Sequence, residues 1–101
     1  MSKDTWKLYS STTGSTAIAF PDDANEIQVV AVYSTLVYSK VLTNMNYGNA
    51  TFNMGGYIYS TTNFGYAEAI MNKTNKTVKL GILMHAGQDQ TSSSNFYVFY
   101  H

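Results

Sequence analysis

The chain has no cysteine, no arginine and a single proline, and charged side chains make up only 12% of its 101 residues. Each scarcity removes a class of function. Without cysteine there is no disulfide framework, no thiol nucleophile and no thiolate-held zinc, so the fold must hold by packing and backbone ladders. Lysines and acids balance to a formal net charge of zero. The basic stripe that neutralises phosphate backbones is therefore missing, which argues against nucleic acid as a partner. No apolar run approaches the roughly 20 residues of a membrane-crossing helix, and the opening MSKDTWKLYS has no apolar centre like that of an export leader. The expectation is a chain made in the cytoplasm that does not insert into a membrane. Three Asn-X-Thr sequons, at Asn49, Asn72 and Asn75, then read as loop residues and not as glycosylation sites.

What is present is a globular hydrophobic fraction of 45% on a length that supports one core, so residues 1–101 form one domain. With so few charges, Ser, Thr, Asn, Gln and Tyr must cover the surface. Their concentration peaks between Asn44 and Tyr66, NMNYGNATFNMGGYIYSTTNFGY, which contains no charged side chain. Tyrosine offers a broad rigid face with a polar tip, and Asn, Ser and Gly add adaptable hydrogen bonding, the alphabet of a contact surface.

Alternation with a period near two runs from end to end. It covers Trp6–Tyr9, Ala17–Phe20, Glu26–Ala31, Leu36–Thr43, Ala50–Met54, Tyr57–Thr61, Gly65–Met71, Thr77–Met84 and Asn95–Tyr100. Turn formers separate these runs, among them Ser11–Ser15, Pro21–Asn25, Asn44–Asn49, Gly55-Gly56, Asn72–Lys76 and Gly87–Ser94. The pattern predicts an all-β fold, a single antiparallel β-sandwich of jelly-roll-like or immunoglobulin-like kind with no substantial helix. In the run from Thr77, unbroken alternation places Val78, Leu80, Ile82 and Met84 together in the core. The last run is apolar or aromatic on both faces, Phe96, Val98 and Tyr100 against Tyr97 and Phe99. Such a strand is central in its sheet, or its outer face is covered by another subunit or by the loop Gly87–Ser94; Tyr97 and Phe99 are the candidate oligomer interface.

Chemistry finds little purchase. His85 and Asp89 lie near each other, but no Gly-X-Ser-X-Gly elbow accompanies them, and the six acids show no opposed pair for glycoside cleavage. The turn Pro21-Asp22-Asp23-Ala24-Asn25-Glu26 offers oxygen ligands, yet it lacks the glycine and spacing of an EF-hand loop and reads as a tight turn. His85 with Asp89 or His101 falls short of a transition-metal ligand set. No enzyme activity, metal or cofactor is expected. The aromatic middle admits three roles. Phe52, Met54, Ile58 and Phe64 can supply core. Tyr47, Tyr57, Tyr59 and Tyr66 can stack on sugar rings while Asn49 and Asn63, with Asn44 and Asn46, bind hydroxyls. The same rings can anchor a subunit contact.

The order Thr13-Gly14-Ser15-Thr16-Ala17-Ile18-Ala19-Phe20-Pro21, Asn25-Glu26-Ile27-Gln28-Val29, Gly56-Tyr57-Ile58-Tyr59 and a closing Phe96-Tyr97-Val98-Phe99-Tyr100-His101 resembles the small C-terminal β modules of tail-fibre and other virion structural proteins of bacteriophages and prophages. The resemblance spans most of the chain as a pattern of strands and turns. It implies a sandwich-like tip, commonly a homotrimer, displayed on the virion surface. Such a tip adheres to host or mucosal glycans, or caps a fibre or decorates a capsid head without a ligand of its own. A basic residue is expected at the end of such modules, where this sequence has His101.

Overall fold

A computed structural model describes residues 5–21, 24–42 and 49–101. Its strands are β1 (Lys7–Thr13), β2 (Ile18–Ala19), β3 (Ile27–Tyr33), β4 (Leu36–Leu42), β5 (Ala50–Ile58), β6 (Phe64–Asn72), β7 (Thr77–His85), β8 (Gln88–Asp89) and β9 (Asn95–Tyr100), with one 3₁₀ turn at Thr91–Ser93. All pairings are antiparallel. One sheet has the order β1-β9-β3-β4, and the other runs β2-β7-β6-β5 with β8 beside β7. The two pack face to face around Ile27, Val29, Ala31, Phe96 and Val98 on one side and Ala67, Ala69, Met71, Val78, Leu80 and Leu83 on the other, all fully buried. The expected all-β sandwich is the fold. The segment 66–71 is strand, as its alternation predicts, and β9 is central in its sheet, between β1 and β3.

Two bulges break the alternation and change which residues face the core. Between β6 and β7, Glu68 pairs with Ile82 and Ala69 with Leu80, leaving Gly81 as the extra residue. A Cβ at Gly81 would lie 2.9 Å from the Ile70 side chain, so the bulge is tight against its neighbour. An extra residue inverts the facing of everything beyond it. Leu83 is consequently buried while Ile82 and Met84 lie half-buried on the outer face, correcting the expectation that both belong to the core. In β5, the expected turn at Gly55-Gly56 is instead a bulge within one continuous nine-residue strand. Gly55 takes φ +122, a value side chains rarely adopt, and its amide donates to Asn53 Oδ1 at 2.7 Å. The extra residue, Met54, turns inward and is buried.

Turns follow their own chemistry. Ala86 (φ 50) and Gly87 (φ 73) form the two-residue link between His85 and Gln88, both with positive φ as a type I′ hairpin requires. In the Ser34-Thr35 link between β3 and β4 only the first corner, Ser34 at φ 55, has positive φ. The segment from Gly87 to Ser94 is tied to β7 and to the turn after β1: Leu83 N donates to Thr91 Oγ1, Gln90 N to Leu83 O and Gly14 N to Ser94 O. Asp89 accepts from both the hydroxyl and the amide of Thr91, and these bonds hold its carboxyl below the usual carboxylate value.

One buried polar atom stands apart. Tyr38 is 8% exposed, and among the described residues its hydroxyl has no hydrogen-bond partner. Burial, with a smaller contribution from Tyr57, pushes its pKa up. An unpaired buried hydroxyl costs desolvation without return. Tyr38→Phe is therefore expected to leave stability unchanged or raise it by up to about 1 kcal/mol, where a paired tyrosine would lose about that much; a urea midpoint shifted clearly downward would reveal a partner for the hydroxyl.

Candidate functional site

Three turns meet at one end of the sandwich: Ser34-Thr35 between β3 and β4, Tyr59–Asn63 between β5 and β6, and Ala86-Gly87 between β7 and β8. The second is closed by the Tyr59 and Ser60 amides on Asn63 O and by Ser60 Oγ accepting from the amides of Thr62 and Asn63. The third docks on it, with Gly87 N donating to Phe64 O at 2.8 Å. A Cβ at Gly87 would lie 2.4 Å from Thr62 O, so only glycine permits this approach.

Between these turns lies a pocket of about 370 Å³ lined by Leu36, Tyr57, Tyr59, Asn63, His85 and Ala86. Tyr57 organises it. Its hydroxyl accepts the Ala86 amide proton at 2.9 Å and lies 3.1 Å from His85 Nδ1. With the amide donating to it, the hydroxyl can give its own proton to Nδ1, leaving a neutral imidazole with its proton on Nε2. Tyr33 packs against the other side of that ring with centroids 5.5 Å apart, and Tyr59 leans on Tyr57 at 5.6 Å. Tyr59 itself is 83% exposed, a ring presented to solvent at the rim.

Around the corner, on the outer face of the second sheet, a groove of about 750 Å³ is lined by Asn53, Gly56, Tyr57, Ile58, Phe64 and Tyr66 with Ser60 and Thr61. Its floor is bare because Gly56, opposite Tyr66, has no side chain; a Cβ there would meet Gly65 O at 2.5 Å. Phe64 and Tyr66 stack in parallel along one wall, 10° from coplanar with centroids 6.5 Å apart, and Ile58 is 86% exposed. Tyr57 borders both cavities, and no lining residue of either carries a formal charge.

Of the residues expected to bind ligand, Tyr57, Tyr59 and Asn63 converge on the end pocket, and Tyr66 lines the outer groove. Asn49 does not join them. It precedes β5 at the far end of the sheet, roughly 25 Å away at the rise of a strand, and its Oδ1 accepts the Lys73 amide in the β6–β7 turn. Tyr47 lies outside the described residues, as do Asn44, Asn46 and the acids Asp22 and Asp23 of the turn weighed for calcium. His85 is the pocket residue that the sequence does not point to, because no short-range motif joins it to Tyr57. His101, which with His85 falls short of a metal ligand set, is at the opposite end, where Nε2 meets Glu26 Oε1 at 2.5 Å and Trp6 packs edge-on to the ring. Among the described residues no three His, Cys, Asp or Glu side chains gather as a metal site would need.

Comparisons of the chain with models of protein families, with curated proteins and with solved structures return no match.

Proposed function

We propose that this domain is a non-enzymatic adhesion module, displayed on a virion surface, that recognises carbohydrate through the end pocket and the adjoining outer groove. The observation that carries the reading is the meeting of Tyr57, Tyr59, Asn63 and His85 in one uncharged pocket beside a second aromatic groove. Sugars present flat CH faces and a ring of hydroxyls. An exposed tyrosine face covers the first, while a side-chain amide and an imidazole N–H answer the second. The virion setting rests on the resemblance in strand and turn order. A shallow open site of this kind binds weakly, and several copies on one particle supply avidity.

Tyr59→Ala is the discriminating variant, because the ring is exposed and its loss leaves the core untouched. Affinity for cell-surface polysaccharide is expected to fall about tenfold or more, the scale of one lost stacking contact of about 1.4 kcal/mol. Binding of the unmodified protein should change little with salt, since there is almost no exposed charge at the site to screen. A blank glycan array together with no adhesion to whole cells would defeat the reading. A second reading, a capsid-decoration or fibre-capping protein with no ligand, is favoured by the largely apolar outer face of the sheet that holds β9, and those blank assays would support it.

A further inference from the structure

The outer face of the β1-β9-β3-β4 sheet can be read row by row from its register. Leu8, Phe99, Gln28 and Val41 form one row, Ser11, Tyr97, Val30 and Ser39 the next, and Thr13, Asn95, Val32 and Val37 the third. Seven of these twelve positions are hydrophobic and none is charged. Leu8 is 56% and Val37 60% exposed, at opposite edges of the sheet. The opposite outer face differs, since Glu68, Lys79 and Asp89 interrupt its apolar rows. We infer that this largely apolar face is a contact between two copies of this chain, packed face to face about a two-fold axis.

Three features select a second copy as the occupant. The polar members of the face, Ser11, Thr13, Ser39, Gln28 and Asn95, each both donate and accept hydrogen bonds, so the surface is complementary to itself, and the one acid beside it, Glu26 in the next row, is already engaged by His101. Thr13 already donates to Asn95 at 3.1 Å, showing how such groups pair along the rim. Edge-to-edge growth is disfavoured: β1 carries a bulge between Leu8 and Ser10, and exposed lysines stand on both edge strands, Lys7 on β1 and Lys40 on β4. The area also fits. Four strands about 4.8 Å apart and three same-face rows spaced about 7 Å make a patch of roughly 400 Å². A pair covering both patches buries about 800 Å² before side-chain relief and the adjoining Trp6, Glu26 and His101 are added, and so approaches the roughly 1,000 Å² of a specific but weak interface. Tyr97 and Phe99, the expected interface residues, lie in the middle of this patch. A trimer, the number the resemblance implies, requires two different patches on each copy, whereas this is one continuous self-matching face.

The inference does not depend on the carbohydrate reading and is tested without any glycan. Sedimentation from micromolar to millimolar concentration should show a monomer passing to a particle of two chains, with the transition insensitive to salt. Val37→Glu and, on the other edge, Leu8→Glu should each raise the dissociation constant at least tenfold while the far-ultraviolet circular dichroism and thermal midpoint stay near those of the parent. Thr51→Glu, exposed on the other sheet, should leave association unchanged. A protein that stays monomeric at millimolar concentration, a particle of three chains, or a pair indifferent to both face variants would overturn the inference.

Discussion

Leu83→Ala is expected to lower the free energy of unfolding by about 2–5 kcal/mol, and Ile82→Ala by about 1 kcal/mol or less. Unbroken alternation through Thr77–Met84 gives the reverse order. The bulge at Gly81 decides the matter: Leu83 is fully buried in the core, and Ile82 lies half-buried on the outer face opposite Glu68. Truncating Leu83 removes apolar burial and leaves a cavity that two packed sheets cannot easily collapse. For a domain of about this size, whose whole stability is of order 5–15 kcal/mol, such a loss is a large share. It should move the thermal midpoint down by about 10 °C or more. Equilibrium urea unfolding of the two variants, read against the parent, measures both costs. If Ile82→Ala proves the more damaging, the bulge is misplaced and the strand has the facing that simple alternation predicts.

The same residue shows why the fold class was legible in the sequence while part of its core was not. Period-two patterning and turn formers report existence and type of strands, and five of the seven described strands longer than two residues match an alternating run to within two positions; β1 runs on through Ser11–Thr13, which read as turn formers, and β5 joins two runs across Gly55-Gly56. Bulges leave a weaker trace. Gly81 inside a strand pattern is a signal for one, and so is Gly55, yet Gly55-Gly56 reads equally well as a turn until the pairing of Ala50–Ile58 with Phe64–Asn72 is seen. The site divides similarly. Tyr57, Tyr59 and Asn63 are near neighbours in sequence and share the absence of charge that marks the segment, so composition alone singles them out together. Tyr66 shares that composition but pairs across from Gly56 and faces outward, whereas Tyr57, one position on, faces the end pocket. His85 comes from a different hairpin 28 residues away and meets Tyr57 only because β5, β6 and β7 are adjacent. No local pattern encodes that meeting.

Gly65→Ala is expected to damage fold and site together, which makes it the sharpest test of how the pocket is held. The backbone there has no unusual φ, so the need for glycine comes from close approach alone. A methyl group would lie 2.6 Å from Met84 O on β7 and 2.6 Å from Cε1 of Tyr57. The carbonyl belongs to a paired strand and cannot withdraw without stretching the ladder. The ring is tethered at its far end, its hydroxyl engaged with the Ala86 amide and His85 Nδ1. Relief therefore requires breaking one set of bonds or the other, and a stability loss of about 1–3 kcal/mol follows, the usual scale of overpacking. Carbohydrate affinity, if the pocket has the proposed role, falls as the Tyr57 ring is displaced. The two halves of the clash separate in a double-mutant cycle. Tyr57→Ala removes the ring and its tether, so Gly65→Ala should cost less in that background than in the parent, with a coupling of about 0.5–3 kcal/mol. Additive costs would show that the ring swings aside freely and that the Met84 carbonyl alone enforces glycine, in which case Tyr57 is not the fixed wall on which the pocket is built.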